Sequence, residues 1–138
     1  MDIFDKFSTQ IQLAGRLLIA YIFVVAGWGK IAGYAGTAAY MESQGIPGAL
    51  LPLVIATELG GGLLVAVGFQ TRIAAFLLAG FSIVSAVLFH YLPADQGQMI
   101  SFMKNLAMAG GFLFIVANGP GAWSLDAFLG GNRRSAAA

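Results

Sequence analysis

Long apolar stretches alternate with short polar segments along this chain of 138 residues. Four of the stretches are about twenty residues long, and a helix that rises about 1.5 Å per residue needs roughly that length to cross the ~30 Å hydrocarbon core of a bilayer. The pattern therefore predicts an all-α fold, a polytopic membrane protein built as a four-transmembrane-helix bundle. The predicted spans cover residues 11–32, 48–68, 73–91 and 99–117.

A shorter helix is predicted between the first two spans. Residues 37–44 form a short segment that Thr37 can cap and that Gly45 and Pro47 can end. Aromatic residues near this segment are typical of the membrane interface. We therefore expect a short interfacial helix on this side of the membrane.

The chain after the fourth span is less apolar but keeps two large aromatic residues, Trp123 and Phe128. They predict a C-terminal interfacial segment at residues 122–129, followed by a polar tail at 130–138. No composition shift divides the sequence. Residues 1–138 are expected to form a single membrane domain.

Composition excludes several classes of function. With 59% hydrophobic residues, 9% charged residues and a mean hydropathy of +0.83, the chain is predicted to be an integral membrane protein surrounded by the lipid bilayer. The net charge of +1 and the lack of a basic patch argue against nucleic acid as a partner. Without cysteine, the chain has no iron–sulfur cluster or thiol nucleophile of its own. No metal site is predicted, because one histidine and scattered carboxylates do not fall at ligand spacing.

The distribution of cations predicts the orientation of the chain. Four spans place both termini on one side, and that side would hold five of the seven lysines and arginines. Short cytoplasmic segments of membrane proteins are enriched in these residues, so the N- and C-termini are predicted to be cytoplasmic. The five are Lys6, Arg16, Arg72, Arg133 and Arg134, against Lys30 and Lys104 on the other side.

Glu58 lies near the centre of the second span, where a carboxylate is costly. Insertion scales assign roughly 2.5–3.5 kcal/mol to a central acidic residue, so Glu58 is expected to face the interior of the bundle beside a partner. The candidate partners are the cations inside the apolar stretches, Arg16, Lys30 and Lys104. Residue counting places Arg16 and Lys104 within roughly 6–8 Å of the depth of Glu58. One of these two is predicted to pair with Glu58, and Arg16 is assigned to a structural ion pair. Lys30, at the end of the first span, can either face the bundle interior or extend its ammonium group to the interface, and the sequence favours neither.

The two charged residues of the first span lie on one face of the helix. Arg16 and Lys30 are fourteen residues apart, close to four helical turns, so both lie on the same face of the helix. Ala20, Phe23 and Gly27 lie between them on that face. We expect this face to point into the bundle.

Polar residues from all four spans are expected at similar depth, between the outer boundary and the midplane. This arrangement predicts a ligand pocket in the outer half of the bundle. A carboxylate, an imidazole and an amine can exchange protons with a bound ligand, so Glu58, His90 and Lys104 are the candidate catalytic residues. The candidate ligand-binding residues are Lys30, Asn105 and Trp28.

A second interpretation of these residues needs no ligand. Lys30 and His90 would extend outward to the interface, and Glu58 would pair with Arg16. The remaining polar residues would hydrogen-bond to backbone. The polar residues would then only fix the relative positions of the helices.

Several short motifs resemble the DoxX family of small four-helix membrane proteins. Their order and spacing carry the resemblance over roughly residues 14–129. The motifs are Arg16 with Phe23–Lys30, Glu58–Gly61, Gly68–Arg72, Phe89–His90 and Lys104–Asn105. The resemblance implies a bacterial-type inner membrane location. It also implies similarity to the family's small quinol-oxidase and thiosulfate:quinone oxidoreductase subunits, which work beside other subunits.

Three functions are consistent with these residues. The first is an accessory or quinone-interacting subunit of a membrane redox system, with a quinone as cofactor. Its electrons would come from a redox protein partner, since the chain has no electron carrier of its own. The second is a structural or assembly subunit without its own chemistry. The third is a small-molecule or proton-coupled transport module, which would need a homo-oligomer because four helices are few for alternating access. The sequence leaves open whether the chain is an enzyme.

Overall fold

The computed structural model describes the backbone of residues 2–137 and the side chains of residues 2–131. Within those ranges every regular element is a helix, and four helices are long and apolar enough to cross a membrane. The predicted fold class is therefore confirmed. The four spans are Ser8–Ala32, Gly48–Val67, Thr71–His90 and Gln96–Asn118, and the shorter helices are Ile3–Lys6, Tyr34–Ser43 and Leu125–Ala137.

Each span packs against its neighbours in sequence, and the first span also contacts the fourth. The spans therefore form a closed antiparallel ring, as expected when helices are joined by short connections. We call the end that holds both termini and the turn at residues 68–70 the terminal side. The opposite end, with the connections at residues 33–47 and 91–95, is the loop side. The assignment of the terminal side to the cytoplasm stays a prediction, and the side chains of Arg133 and Arg134, which support it, lie outside the described residues.

The second and third spans are not wound uniformly. The second begins with a 3₁₀ turn at Gly48–Leu50 and contains a π-helical turn at Ala56–Gly60, after which the α-helix resumes. The third ends in another π-helical turn, Ala86–His90. Single π-helical turns inside α-helices are rare and are frequently found at functional sites. Both turns lie in the half of the bundle where the polar residues were predicted to gather.

The core consists of small and aromatic side chains. Phe23 of the first span and Phe112 of the fourth meet edge to face, with ring centroids 5.3 Å apart, and both are almost completely buried. Alanines of the first, third and fourth spans complete the cluster together with Val65 and Leu78. Small residues at such positions let helices approach closely in a membrane. The predicted inward face of the first span is confirmed, since its buried residues are Arg16, Ala20, Phe23 and Gly27.

The short loop-side helix begins at Tyr34 rather than at residue 37. Thr37 does not cap it, because the Thr37 hydroxyl donates to the carbonyl of Gly33 in the preceding turn, 2.9 Å away. Met41 is only 4% exposed. The helix therefore packs against the bundle instead of lying wholly in the headgroup layer.

The terminal helix Leu125–Ala137 starts within the predicted interfacial segment 122–129 and continues into the predicted polar tail. The N–H of Asp126 donates to the carbonyl of Gly68, 2.8 Å away, and so ties this helix to the turn between the second and third spans. Residue 138, the end of the predicted tail, lies outside the described residues.

Candidate functional site

A cavity of about 280 Å³ lies in the loop-side half of the bundle. All four spans contribute to its wall, and the helix Tyr34–Ser43 lies across it. Its apolar lining includes Phe23, Phe81 and Met108. The structure brings five of the predicted polar residues into this one cavity: Lys30, Glu58, His90, Lys104 and Asn105.

Glu58 points inward, as predicted, and its partner is Lys30. The Lys30 Nζ lies 3.0 Å from Glu58 Oε1 and 2.9 Å from Oε2, and Glu58 is 5% exposed. The prediction that Arg16 or Lys104 pairs with Glu58 is wrong. Counting residues along each span estimates the depth of the backbone only, whereas side chains on a helix lean toward its N-terminus, so the long side chain of Lys30 extends from the end of the first span to Glu58.

A glycine brings the two helices of the ion pair together. A Cβ at Gly27 would lie 2.8 Å from both the Cβ and the backbone nitrogen of Leu59, so only glycine allows this approach of the first span to the second. Leu59 follows Glu58 in the π-helical turn. The close contact therefore lies directly beside the carboxylate and sets the distance that the Lys30 side chain has to cross.

His90 closes the cavity at the end of the third span. Its Nδ1 lies 2.7 Å from the side-chain oxygen of Gln98, in the first turns of the fourth span. The preceding residue, Phe89, stacks on Tyr40 of the short loop-side helix, with ring centroids 6.0 Å apart and planes inclined by 29°. The loop-side wall of the cavity is therefore built by three separate elements.

Asn105 joins the third and fourth spans. Its Nδ2 donates to the carbonyl of Ser82 at 3.2 Å and to the hydroxyl of Ser85 at 3.0 Å. Asn105 is 8% exposed, and an unpaired amide at that depth would cost free energy. These bonds hold the two helices in register at the level of the cavity.

The other two predicted site residues have different positions. Lys104 lines the cavity, and no carboxylate among the described residues pairs with it. Trp28 is 66% exposed on the outside of the first span and is not part of the cavity wall. The assignment of Trp28 to ligand binding is therefore not supported, and its position fits the aromatic belt of the interface.

Several lining residues were not predicted. Tyr40 and Met41 reach the cavity because the short helix folds over it, which no local pattern indicates. Ser85 had a usable signal, because Ser82 and Ser85 are the only polar residues between Arg72 and His90. Gln98 contacts His90 across a loop. In the sequence alone, nothing distinguishes its polar side chain from that of a solvated loop residue.

Arg16 belongs to a separate cluster on the terminal side. Its guanidinium donates to the carbonyls of Pro120 at 2.6 Å, Trp123 at 2.8 Å and Ala66 at 3.3 Å, and the residue is 3% exposed. The assignment of Arg16 to an ion pair with Glu58 is therefore corrected. The bonds come from Nη1 and Nη2, and they hold together the loop after the fourth span and the end of the second.

Asp126 binds the N-terminus of the third span. Its carboxylate accepts hydrogen bonds from the N–H of Gln70 at 2.8 Å, the N–H of Thr71 at 2.9 Å and the Thr71 hydroxyl at 2.7 Å. Burial alone would raise the pKa of Asp126, but these hydrogen bonds and the charge of Arg16 lower it below its usual range. The carboxylate takes the role of an N-cap supplied by a distant helix.

Replacing Asp126 by asparagine should destabilise the protein at neutral pH by about 0.5–2 kcal/mol, toward the lower end because the carboxylate is partly solvated. A carboxyl whose folded-state pKa is lowered stabilises the fold above the unfolded pKa of about 3.9, and this contribution is lost as the pH falls through the folded value. Thermal denaturation in detergent at several pH values measures the difference. Asp5→Asn, at an exposed N-terminal position, is the control. A difference in melting temperature between wild type and Asp126→Asn that stays the same at all pH values would contradict the prediction.

Comparison with known proteins places the chain in a family. The sequence model of the DoxX family matches residues 11–91, which covers the first three spans and includes Glu58 and His90. Lys104 and Asn105 lie outside that match. No solved structure matches this chain.

Two relatives in Escherichia coli match most of the chain. Inner membrane protein YqjF is 51% identical over 117 residues, which are 85% of this chain and 90% of the relative. Inner membrane protein YphA is 37% identical over 121 residues, 83% of this chain and 86% of the relative. A Bacillus subtilis protein named Putative oxidoreductase CatD is 36% identical over 73 residues, 53% of this chain and 54% of that protein. The family match, the two relatives and the four apolar spans together establish that this chain is an inner-membrane protein of the DoxX family.

Proposed function

We infer that this protein is a quinone-binding accessory subunit of a membrane redox system and depends on a partner protein for electrons. The observation that carries this proposal is the loop-side cavity, where an apolar space is surrounded by side chains that bind and release protons. Glu58, His90 and Lys104 come from three different spans and line the same space.

The cavity suits the ring of a quinone. Its volume of about 280 Å³ is close to the lower limit of roughly 300 Å³ found for small-molecule sites, so it fits a ring head group better than a long isoprenoid tail. Phe23 and Phe81 offer aromatic surface to such a ring. Lys104 supplies a donor for a ring oxygen, and the imidazole of His90 is a second polar contact.

A quinone takes up two electrons and two protons to become a quinol, and this is the chemistry it would supply when bound. The chain's own residues would hold protons and orient the ring. The Lys30–Glu58 pair and the imidazole of His90 are the ionisable groups of the cavity wall that would take part in such proton transfer. Electrons require a partner, because the chain has no cysteine and a single histidine.

The name of CatD associates one relative with oxidation and reduction, while the names of YqjF and YphA state only a membrane location. A purely structural role would account for the Lys30–Glu58 pair and for the bonds of Asn105, since both are already satisfied within the bundle. It does not account for Lys104, a cation placed at a cavity wall with no carboxylate partner among the described residues.

Quinone titration tests this proposal. Decylubiquinone or menadione should quench the intrinsic fluorescence of the wild-type protein in lipid nanodiscs. The quenching should exceed that produced by partition of the quinone into the lipid. Lys104→Met should weaken binding roughly tenfold, because a hydrogen bond from a charged donor contributes about 1.5–3 kcal/mol. Lys6→Met is the matched control at an exposed terminal position. Absence of saturable binding to the wild type, or equal binding by Lys104→Met, would contradict the proposal.

A further inference from the structure

Gln98 controls which nitrogen of His90 carries a proton. The Gln98 side-chain oxygen lies 2.7 Å from His90 Nδ1. An amide oxygen only accepts hydrogen bonds, so Nδ1 must be the protonated nitrogen in this arrangement. Gln98 is itself held in place, because its backbone N–H donates to the Asp95 carboxylate that caps the fourth span, 3.1 Å away.

A neutral imidazole carries one proton, so a proton on Nδ1 leaves a lone pair on Nε2. No side chain or backbone group among the described residues hydrogen-bonds to Nε2, and the ring lines the cavity. Nε2 is therefore an acceptor without a partner, on a residue that lines the cavity. The arrangement is the one by which a second residue selects the tautomer of a metal-binding or catalytic histidine.

The other polar groups of the cavity are less available as acceptors. Both carboxylate oxygens of Glu58 accept from Lys30. The Asn105 amide nitrogen donates to Ser82 and Ser85, which leaves its side-chain oxygen as an acceptor on the fourth span, and Lys104 can only donate. His90 Nε2 and the Asn105 side-chain oxygen are therefore the acceptors of the cavity lining that can take a donor from a ligand without the loss of an existing bond.

We propose that Gln98 is a positioning residue that fixes His90 as a hydrogen-bond acceptor toward the cavity, so that the site selects a ligand with a ring hydroxyl. The ligand class in this proposal rests on the proposed function. Of the two redox forms of that ligand, the proposal identifies the quinol as the one that binds more tightly. A quinol O–H donates to Nε2 while its oxygen accepts from Lys104. A quinone has no O–H and leaves Nε2 unpaired.

The tautomer can be measured without any ligand. His90 is the single histidine of the chain, so ¹⁵N-histidine labelling gives one pair of ring-nitrogen signals. At a pH where the ring is neutral, the wild type should show a pyrrole-type Nδ1 and a pyridine-type Nε2. Gln98→Ala should return the ring to the Nε2–H form that free histidine favours, and Gln98→Glu should restore the native pattern because a carboxylate also accepts. Gln96→Ala, at an exposed position of the same helix turn, should change nothing. A pyrrole-type Nε2 in the wild type would overturn the inference.

Ligand selection is measured with decylubiquinol and decylubiquinone under anaerobic conditions. We expect the wild type to bind the quinol roughly tenfold more tightly, and Gln98→Ala to lose that preference while Gln98→Glu retains it. Equal affinity of the wild type for both forms would overturn the inference while leaving quinone binding intact. Failure of both forms to bind would overturn the proposed function and the quinol assignment together.

Discussion

Replacing Lys30 by methionine is expected to lower the free energy of unfolding by about 3–5 kcal/mol, the usual cost of removing one partner from a buried ion pair. Glu58 has a side chain that is 7% exposed and would remain without its cation inside the bundle. The Lys30 side chain is 28% exposed, so the effect should fall toward the lower end of that range. Reversible denaturation in mixed detergent micelles measures the change.

The double variant Lys30→Met/Glu58→Gln separates the pair from the cavity around it. It should recover most of the stability lost in Lys30→Met, because two neutral side chains leave no buried charge. Lys104→Met is the matched control, since Lys104 lines the same cavity and no carboxylate among the described residues pairs with it. If Lys104→Met destabilises the protein as much as Lys30→Met does, the Lys30–Glu58 pair is not what stabilises this half of the bundle.

Adding one methyl group at Gly27 should destabilise the protein by about 1–3 kcal/mol or more, the range for overpacking a core. The new Cβ would lie 2.8 Å from Leu59 Cβ and from the Leu59 backbone nitrogen, and backbone cannot move aside as the end of a flexible side chain can. The first and second spans would be forced apart beside Glu58. The Gly27→Ala variant should therefore also show weaker coupling between Lys30 and Glu58 in the double-variant experiment.

Gly29→Ala provides a control of the same chemistry in the same helix. No heavy atom lies within 4 Å of a Cβ placed at Gly29, and alanine is favoured over glycine in a helix by about 1 kcal/mol. This substitution should leave stability unchanged or raise it. Similar melting temperatures for the two variants would show that the contact between Gly27 and Leu59 does not limit the approach of the helices.

Much of the candidate site was predictable, because burial of a polar residue in a membrane is costly wherever it occurs. The hydrophobic pattern and the cost of a central carboxylate together predicted that Glu58 points inward, and the helical period predicted the face that joins Arg16 to Gly27. Depth alone predicted that Lys30, His90, Lys104 and Asn105 lie at one end of the bundle. The pairing of these groups was not predictable, since it depends on which helices touch and how each is rotated.

The sequence by itself determined that this chain forms four apolar helices and that the polar residues from Lys30 to Asn105 that line the cavity lie in one half of the bundle. Both follow from terms that act within a single helix, namely its length, its period and the transfer free energy of each side chain. Only the tertiary structure decided that Glu58 binds Lys30, that Arg16 binds backbone carbonyls and that Asp126 caps a helix fifty-five residues away. Those choices depend on contacts between distant parts of the chain, where differences of an ångström in helix approach, as at Gly27, select one partner over another.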